Sequence, residues 1–155
     1  MLVDEGLEIL REEDARALLA RQTVGRLGIT MGAMPAIFPV NYLWLDDTIL
    51  FRTSPGSKLS AAVANNVVAF EVDDFDGRDR SGWSVLLVGR ATVVQLPDAA
   101  FTELARRLTP YVDGTRNALV RIEPGHISGR RIVHDRLGLS AELDADEHGI
   151  QRRRS

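Results

Sequence analysis

The chain reads as a mainly β protein of the α+β kind, a mostly antiparallel sheet of six or seven strands closing into a barrel, with a few short helices. Two observations in the residues predict the antiparallel sheet and its closure. First, β-patterned segments follow one another through turns too short for the crossover that parallel neighbours need. Second, six or seven such segments share the 155 residues with only three helical stretches, and a sheet with so few covering elements escapes its exposed edges by closing.

The elements follow in order. "LREEDARALLARQTVG" predicts a short helix: Leu10, Ala15, Leu18 and Leu19 form its apolar stripe, acidic residues fill its first turn, and Gly25 follows it. The period then changes to two. "VGRLGIT" and "AIFPVNYLWL" are strands joined by the turn "MGAMP". Along the second, Phe38, Val40, Tyr42 and Trp44 share one face and Asn41 lies on the other. Asp46 and Asp47 turn the chain tightly into a third strand, "TILFRT". A helix carrying Leu59, Ala62 and Val63 on one side comes next, then the strand "VVAFEVDD" and a polar excursion, "DFDGRDRSG". "WSVLLVGRATVVQL" is a long strand bent at Gly89. Pro97 and Asp98 open a third helix with Phe101, Leu104, Ala105 and Leu108 in register. "ALVRIEPG" and "HISGRRIVH" close the sheet as two strands, and residues 143–155 form an aperiodic, mobile tail behind a single domain at 1–142.

Composition narrows the chemistry. A net charge of −3 argues against nucleic acid as a partner. Without cysteine there is no thiol catalysis, disulfide or zinc–thiolate site. The three histidines, His126, His134 and His148, are too scattered for a metal cage. The N-terminal residues resemble neither a signal peptide nor an anchor, so a cytoplasmic protein away from membranes is expected.

One stretch asks for more than a turn. "LFRTSPGSKLSAA" crowds Arg52, Thr53, Ser54, Ser57 and Lys58 around a strand-to-helix corner. With Ser54 as cap and Pro55 in the first helical position, the first-turn N–H groups would meet an anion together with those hydroxyls and cations. Each charge-assisted hydrogen bond to a phosphate contributes about 1.5–3 kcal/mol. The same residues also describe a capped helix with solvated cations. Neither GxxxxGK[ST] nor GxGxxG occurs here.

The run from "FPVNYLWLDDTILFRTSPGSK" through "GWSVLLVGRA" to "VRIEPGHISGRRI" resembles the pyridoxamine 5′-phosphate oxidase-like split barrels, over about residues 10 to 134. The resemblance implies a six-stranded antiparallel split β-barrel that forms a homodimer, with FMN or a deazaflavin coenzyme (F-420) in the groove between subunits, and an oxidoreductase passing hydride to a small organic acceptor. It places the phosphate on Arg52, Thr53, Ser54, Ser57 and Lys58, and the ring system along the strand edge Pro39, Val40, Asn41 and Tyr42. Trp83 and Ser84 correspond to positions that reach the cofactor from the partner chain. Where the oxidase proper has Ser-Arg-Lys, this chain has only Ser57-Lys58, and the family's C-terminal substrate segment has no counterpart, which argues against vitamin B6 oxidation. A binding or storage module without turnover and a haem-binding relative using His126 or His134 are the other readings. Tyr42 fits equally a pocket wall and a core aromatic, and Trp44 a core aromatic. The aspartates Asp73, Asp74, Asp76 and Asp79 read as a solvated loop, since the EF-hand spacing is absent.

Overall fold

The computed structural model describes residues 3, 4, 6–108 and 118–132. Its strands are β1 (Val3–Asp4), β2 (Leu7–Leu10), β3 (Val24–Met31), β4 (Met34–Leu45), β5 (Thr48–Thr53), β6 (Val67–Asp76), β7 (Ser81–Val94) and β8 (Ala118–Ile132). The helices are α1 (Glu12–Leu19), α2 (Lys58–Val63) and α3 (Asp98–Arg107). All strand pairs are antiparallel. Six of the strands form a closed ring in the order β8-β5-β4-β3-β6-β7, with β7 returning to β8.

The ring is split along one edge of β8. Residues 118–122 of that edge pair with β5, whereas 129–132 pair with β2. Along its other edge β8 follows β7 from Leu119 to Ile132. The strand alternation sends Leu27, Ile49, Phe51, Phe70, Leu87 and Ile122 into one closed core, each wholly buried. Against it, α1 buries Ala15, Leu18 and Leu19. A Cβ at Gly129 of β8 would lie 3.1 Å from that of Ala15, so glycine lets the helix sit close.

Several boundaries differ from the expectation, each for a local reason. The turn between β3 and β4 is only Gly32–Ala33, because Pro35 belongs to the strand: it stands opposite Thr30 in the ladder. Asp46 and Asp47 form the tight hairpin with φ of 49° and 60°, the left-handed pair a two-residue turn demands. The polar excursion shrinks to residues 77–80, since β6 and β7 pair out to Asp76–Ser81. Within it Asp76 accepts from the Arg78 N–H and Asp79 from the Ser81 N–H, so these carboxylates shape a turn.

The two closing strands are one. At Pro124–Gly125 the chain stays extended, and the register shifts as Val88 faces His126 while Gly89 faces Pro124, leaving Gly125 as the bulge. Gly89 is required on the other side, because a Cβ there would stand 2.1 Å from the Glu123 carbonyl oxygen. Leu10 ends β2 instead of entering the first helix, and α1 starts two residues later. The expected tail at 143–155, and the end of the last strand at Val133–His134, lie outside the described residues.

Candidate functional site

The site is built where two paired strands part. Tyr42–Phe51 is the last pair joining β4 to β5, and beyond it Met34–Asn41 pair with β3 alone. The direction of each backbone group on that stretch follows from two hydrogen-bonding facts. The Tyr42 N–H donates to the Thr23 carbonyl, so even-numbered residues of β4 bond to β3. The β4–β5 hairpin closes at Leu45–Thr48, so odd-numbered residues face the β5 side. Pro35, Ile37 and Pro39 therefore point their backbone groups out of the open edge.

Two of those three are prolines. A proline in a sheet is tolerated where its missing N–H would face away from the ladder, and it also discourages an added strand. The edge next to the split keeps the Pro39 carbonyl as acceptor. The inner side is apolar: Phe38 and Val40 pack against the core.

Across the split, β5 ends at Thr53 and leads into α2. Ser54–Pro55–Gly56–Ser57 is a tight turn, closed by the Ser57 N–H donating to the Ser54 carbonyl at 3.2 Å, with Gly56 at φ 69°. Ser57, not Ser54, caps the helix: its hydroxyl accepts from the Ser60 N–H at 3.0 Å. The sequence placed the cap three residues early because Ser-Pro also fits a helix start, whereas here proline serves the turn. Buried Thr53 lies 3.3 Å, hydroxyl to hydroxyl, from Ser57, and Lys58 is exposed beside them. A six-residue helix supplies little dipole, so the polar groups this corner presents are the two hydroxyls and the Lys58 ammonium.

Arg52 does not join that group. It alternates with Thr53 on β5 and points from the opposite face, where its guanidinium lies over the Phe101 ring of α3 at 5.7 Å. Tyr42 is likewise corrected as a side-chain wall. It is 2% exposed, its hydroxyl donates to the Leu19 carbonyl at 2.5 Å, and its ring meets Phe70 edge-on at 4.9 Å. Burial pushes the Tyr42 hydroxyl well above its ordinary pKa. Trp44 packs on the core as expected. Trp83 and Ser84 stand back to back: Trp83 packs against the core, while Ser84 faces outward between Asp73 and Arg130.

The sequence reading missed the unpaired edge itself. Its signal was the repeat of proline at 35 and 39 in an otherwise strand-like run, the period that keeps both on one edge. Another feature it missed is Arg26, which bridges Glu71 at 3.0 Å and Asp73 at 3.1 Å on the outer face. Burial, with Asp73 as like-charged neighbour, outweighs Arg26 and raises the Glu71 pKa. His126 is exposed on β8 opposite Val88, and His134 lies outside the described residues. Among the described residues no three His, Asp or Glu side chains group as a metal site, and no helix is long and apolar enough to cross a membrane.

A closed six-stranded ring with an open proline-bearing edge beside a hydroxyl-rich corner defines a split-barrel protein. More specifically, the chain belongs to the pyridoxamine 5′-phosphate oxidase family, whose model matches residues 11–131. An uncharacterised protein of Mycobacterium tuberculosis is 42% identical over 136 residues, which cover 84% of this chain and 88% of that protein. Among solved structures, the FAD binding protein from Mycobacterium smegmatis is 34% identical with a TM-score of 0.63, over 81% of this chain and 98% of that one. The FAD and haem binding protein from the same organism is 15% identical with a TM-score of 0.65, over 97% and 89%, and shares the fold.

Proposed function

We propose that the chain holds a phosphorylated flavin across the β4–β5 split and acts as an oxidoreductase that passes hydride to a small organic acceptor. The observation that carries this reading is the meeting of two recognition elements at one opening. Thr53 and Ser57 offer hydroxyls and Lys58 a charge to a phosphate. The open edge of β4 offers the Pro39 carbonyl to the imide N–H of a ring, a donor common to FMN, FAD and the deazaflavin coenzyme. When bound, the cofactor supplies the hydride chemistry; the chain's task is to bind, orient and shield it. That division of labour fits a site without a nucleophile–base pair.

The partner in this reading is a second copy of the chain. Ile37, 72% exposed, and Val88 flank Gly28 and Ala69 in one row of the outer face, with Leu86, 40% exposed, one row further on opposite Glu71, an apolar strip suited to a homodimer. Ser84, on that same outer face, would then be presented to the partner's cofactor, while Trp83 supports β7 from within. FMN and the deazaflavin coenzyme are the cofactors the sequence points to, and the FAD-binding relative adds FAD to the candidates.

The test is titration of the apoprotein with each cofactor, followed by anaerobic mixing of the reduced complex with quinones and nitroaromatics. Reoxidation faster than that of free cofactor supports an oxidoreductase. Tight binding without faster reoxidation replaces it with a carrier.

A further inference from the structure

A charged cluster is set into the apolar strip on the outer face of the sheet. Arg26 of β3 and Glu71 of β6 are ladder neighbours, with Pro39 beyond Arg26 and Leu86 beyond Glu71 in the same row. The row on one side holds Gly28, Ala69 and Val88. On the other side stands Asp73, and the Arg26 guanidinium reaches both carboxylates, Glu71 at 3.0 Å and Asp73 at 3.1 Å. One cation thus serves two anions, and the ionised cluster keeps a surplus negative charge.

The surroundings of Glu71 leave that surplus in place. From β3 it meets Arg26, from its own strand Asp73, and from β7 only Leu86 and Ser84. His126 and Arg130 of β8 lie opposite Val88 and Ser84, two strand spacings from β6, or about 10 Å. Exposed charges that far apart are largely screened at physiological salt. A second copy laid on the strip removes more water from Glu71. An arginine–carboxylate pair can enter such a contact neutral, whereas an extra buried carboxylate answers by binding a proton.

We propose that this cluster makes self-association proton-linked: Glu71 takes up a proton as two copies meet through the strip, so acid favours the dimer and any cofactor held between its subunits. The linkage rests on the homodimer proposed above and regulates its assembly. Its sign agrees with the free chain, where burial, with Asp73 as a like charge, already outweighs Arg26 and raises the Glu71 pKa. Further burial raises it again, so the protonated form gains in the dimer and association strengthens as pH falls.

The test is sedimentation velocity of the full-length protein, nanomolar to micromolar, in steps from about pH 8 to about pH 5, a range that spans a raised carboxylate. The wild-type dimer should tighten about ten- to a hundredfold, since a roughly tenfold rise in proton affinity in each copy multiplies to about a hundredfold. Glu71→Gln and Asp73→Asn each leave Arg26 with one carboxylate, and should lose that rise and dimerise at the alkaline end as tightly as the wild type does in acid. Glu13→Gln, exposed on α1, changes the net charge equally and should keep the rise. Histidine gains charge in the same range, but His126 is present in all four proteins, so the difference between them belongs to the cluster. A wild-type dimer indifferent to pH, or one whose pH dependence Glu71→Gln shares, overturns the linkage and leaves the homodimer standing. A wild type that stays monomeric at every pH overturns both. Should one neutralised variant fail to fold, the other decides.

Discussion

Replacing Tyr42 by phenylalanine isolates one buried hydrogen bond. The ring keeps its volume and its edge contact with Phe70, so no cavity opens. What is lost is the donor to the Leu19 carbonyl, the last of α1 and one of the acceptors that a helix end leaves without an internal partner. A buried acceptor abandoned in this way costs about 1–3 kcal/mol. For a chain of this length each kcal/mol lowers the melting temperature by roughly 2–4 °C.

The pH dependence gives a second signature. Burial raises the Tyr42 pKa, so the folded state holds its proton more tightly than the unfolded chain. Below about pH 10 both states are protonated and the contribution is constant. Above it the unfolded chain deprotonates first, and the wild type loses up to about 1.4 kcal/mol per pH unit that Tyr42→Phe does not lose. Urea denaturation at pH 7 and at stepped alkaline pH measures both. A penalty below about half a kcal/mol at pH 7, or an identical alkaline limb in the two proteins, would refute the assigned bond.

Further outcomes follow from the same structure. Gly89→Ala forces a Cβ against the Glu123 carbonyl oxygen and should cost about 1–3 kcal/mol in urea denaturation. Lys58→Ala should leave stability within about half a kcal/mol, because the side chain is exposed, yet weaken binding of a phosphorylated cofactor at least tenfold by calorimetry. Ser57→Ala should do both at once, losing about 1 kcal/mol with the helix cap as well as a phosphate contact. Glu71 has a raised pKa in the folded state, so its contribution favours folding at low pH and is lost as pH rises from about 4 through the raised value. The wild-type stability curve should therefore decline relative to that of Glu71→Gln across this window, and parallel curves would remove the burial argument.

The ring of strands was legible because period-two patterning and tight turns are local properties, and "LDDT" carries its hairpin in four residues. The errors arose where one residue type serves two structures. Pro35 suits a turn as well as a strand edge, since proline alone does not reveal which edge of a strand is unpaired. Pro124–Gly125 looked like a break and is a bulge, because the register of β7 is a long-range fact. The phosphate corner was visible as composition, but alternation along β5 divides it, sending Thr53 inward and Arg52 to Phe101. Tyr42 could not be assigned until the Leu19 carbonyl was located 23 residues before it.

The proposed cofactor site depends on a phosphate at the corner formed by Thr53, Ser57 and Lys58. Fluorescence titration of the apoprotein with FMN, FAD and the deazaflavin coenzyme, each compared with phosphate-free riboflavin, addresses it directly. At least one phosphorylated cofactor should bind ten times or more tighter than riboflavin, an advantage worth about 1.4 kcal/mol or more, and Lys58→Ala should erase most of that difference. Riboflavin binding as tightly as every phosphorylated form, or none of them binding, would contradict it.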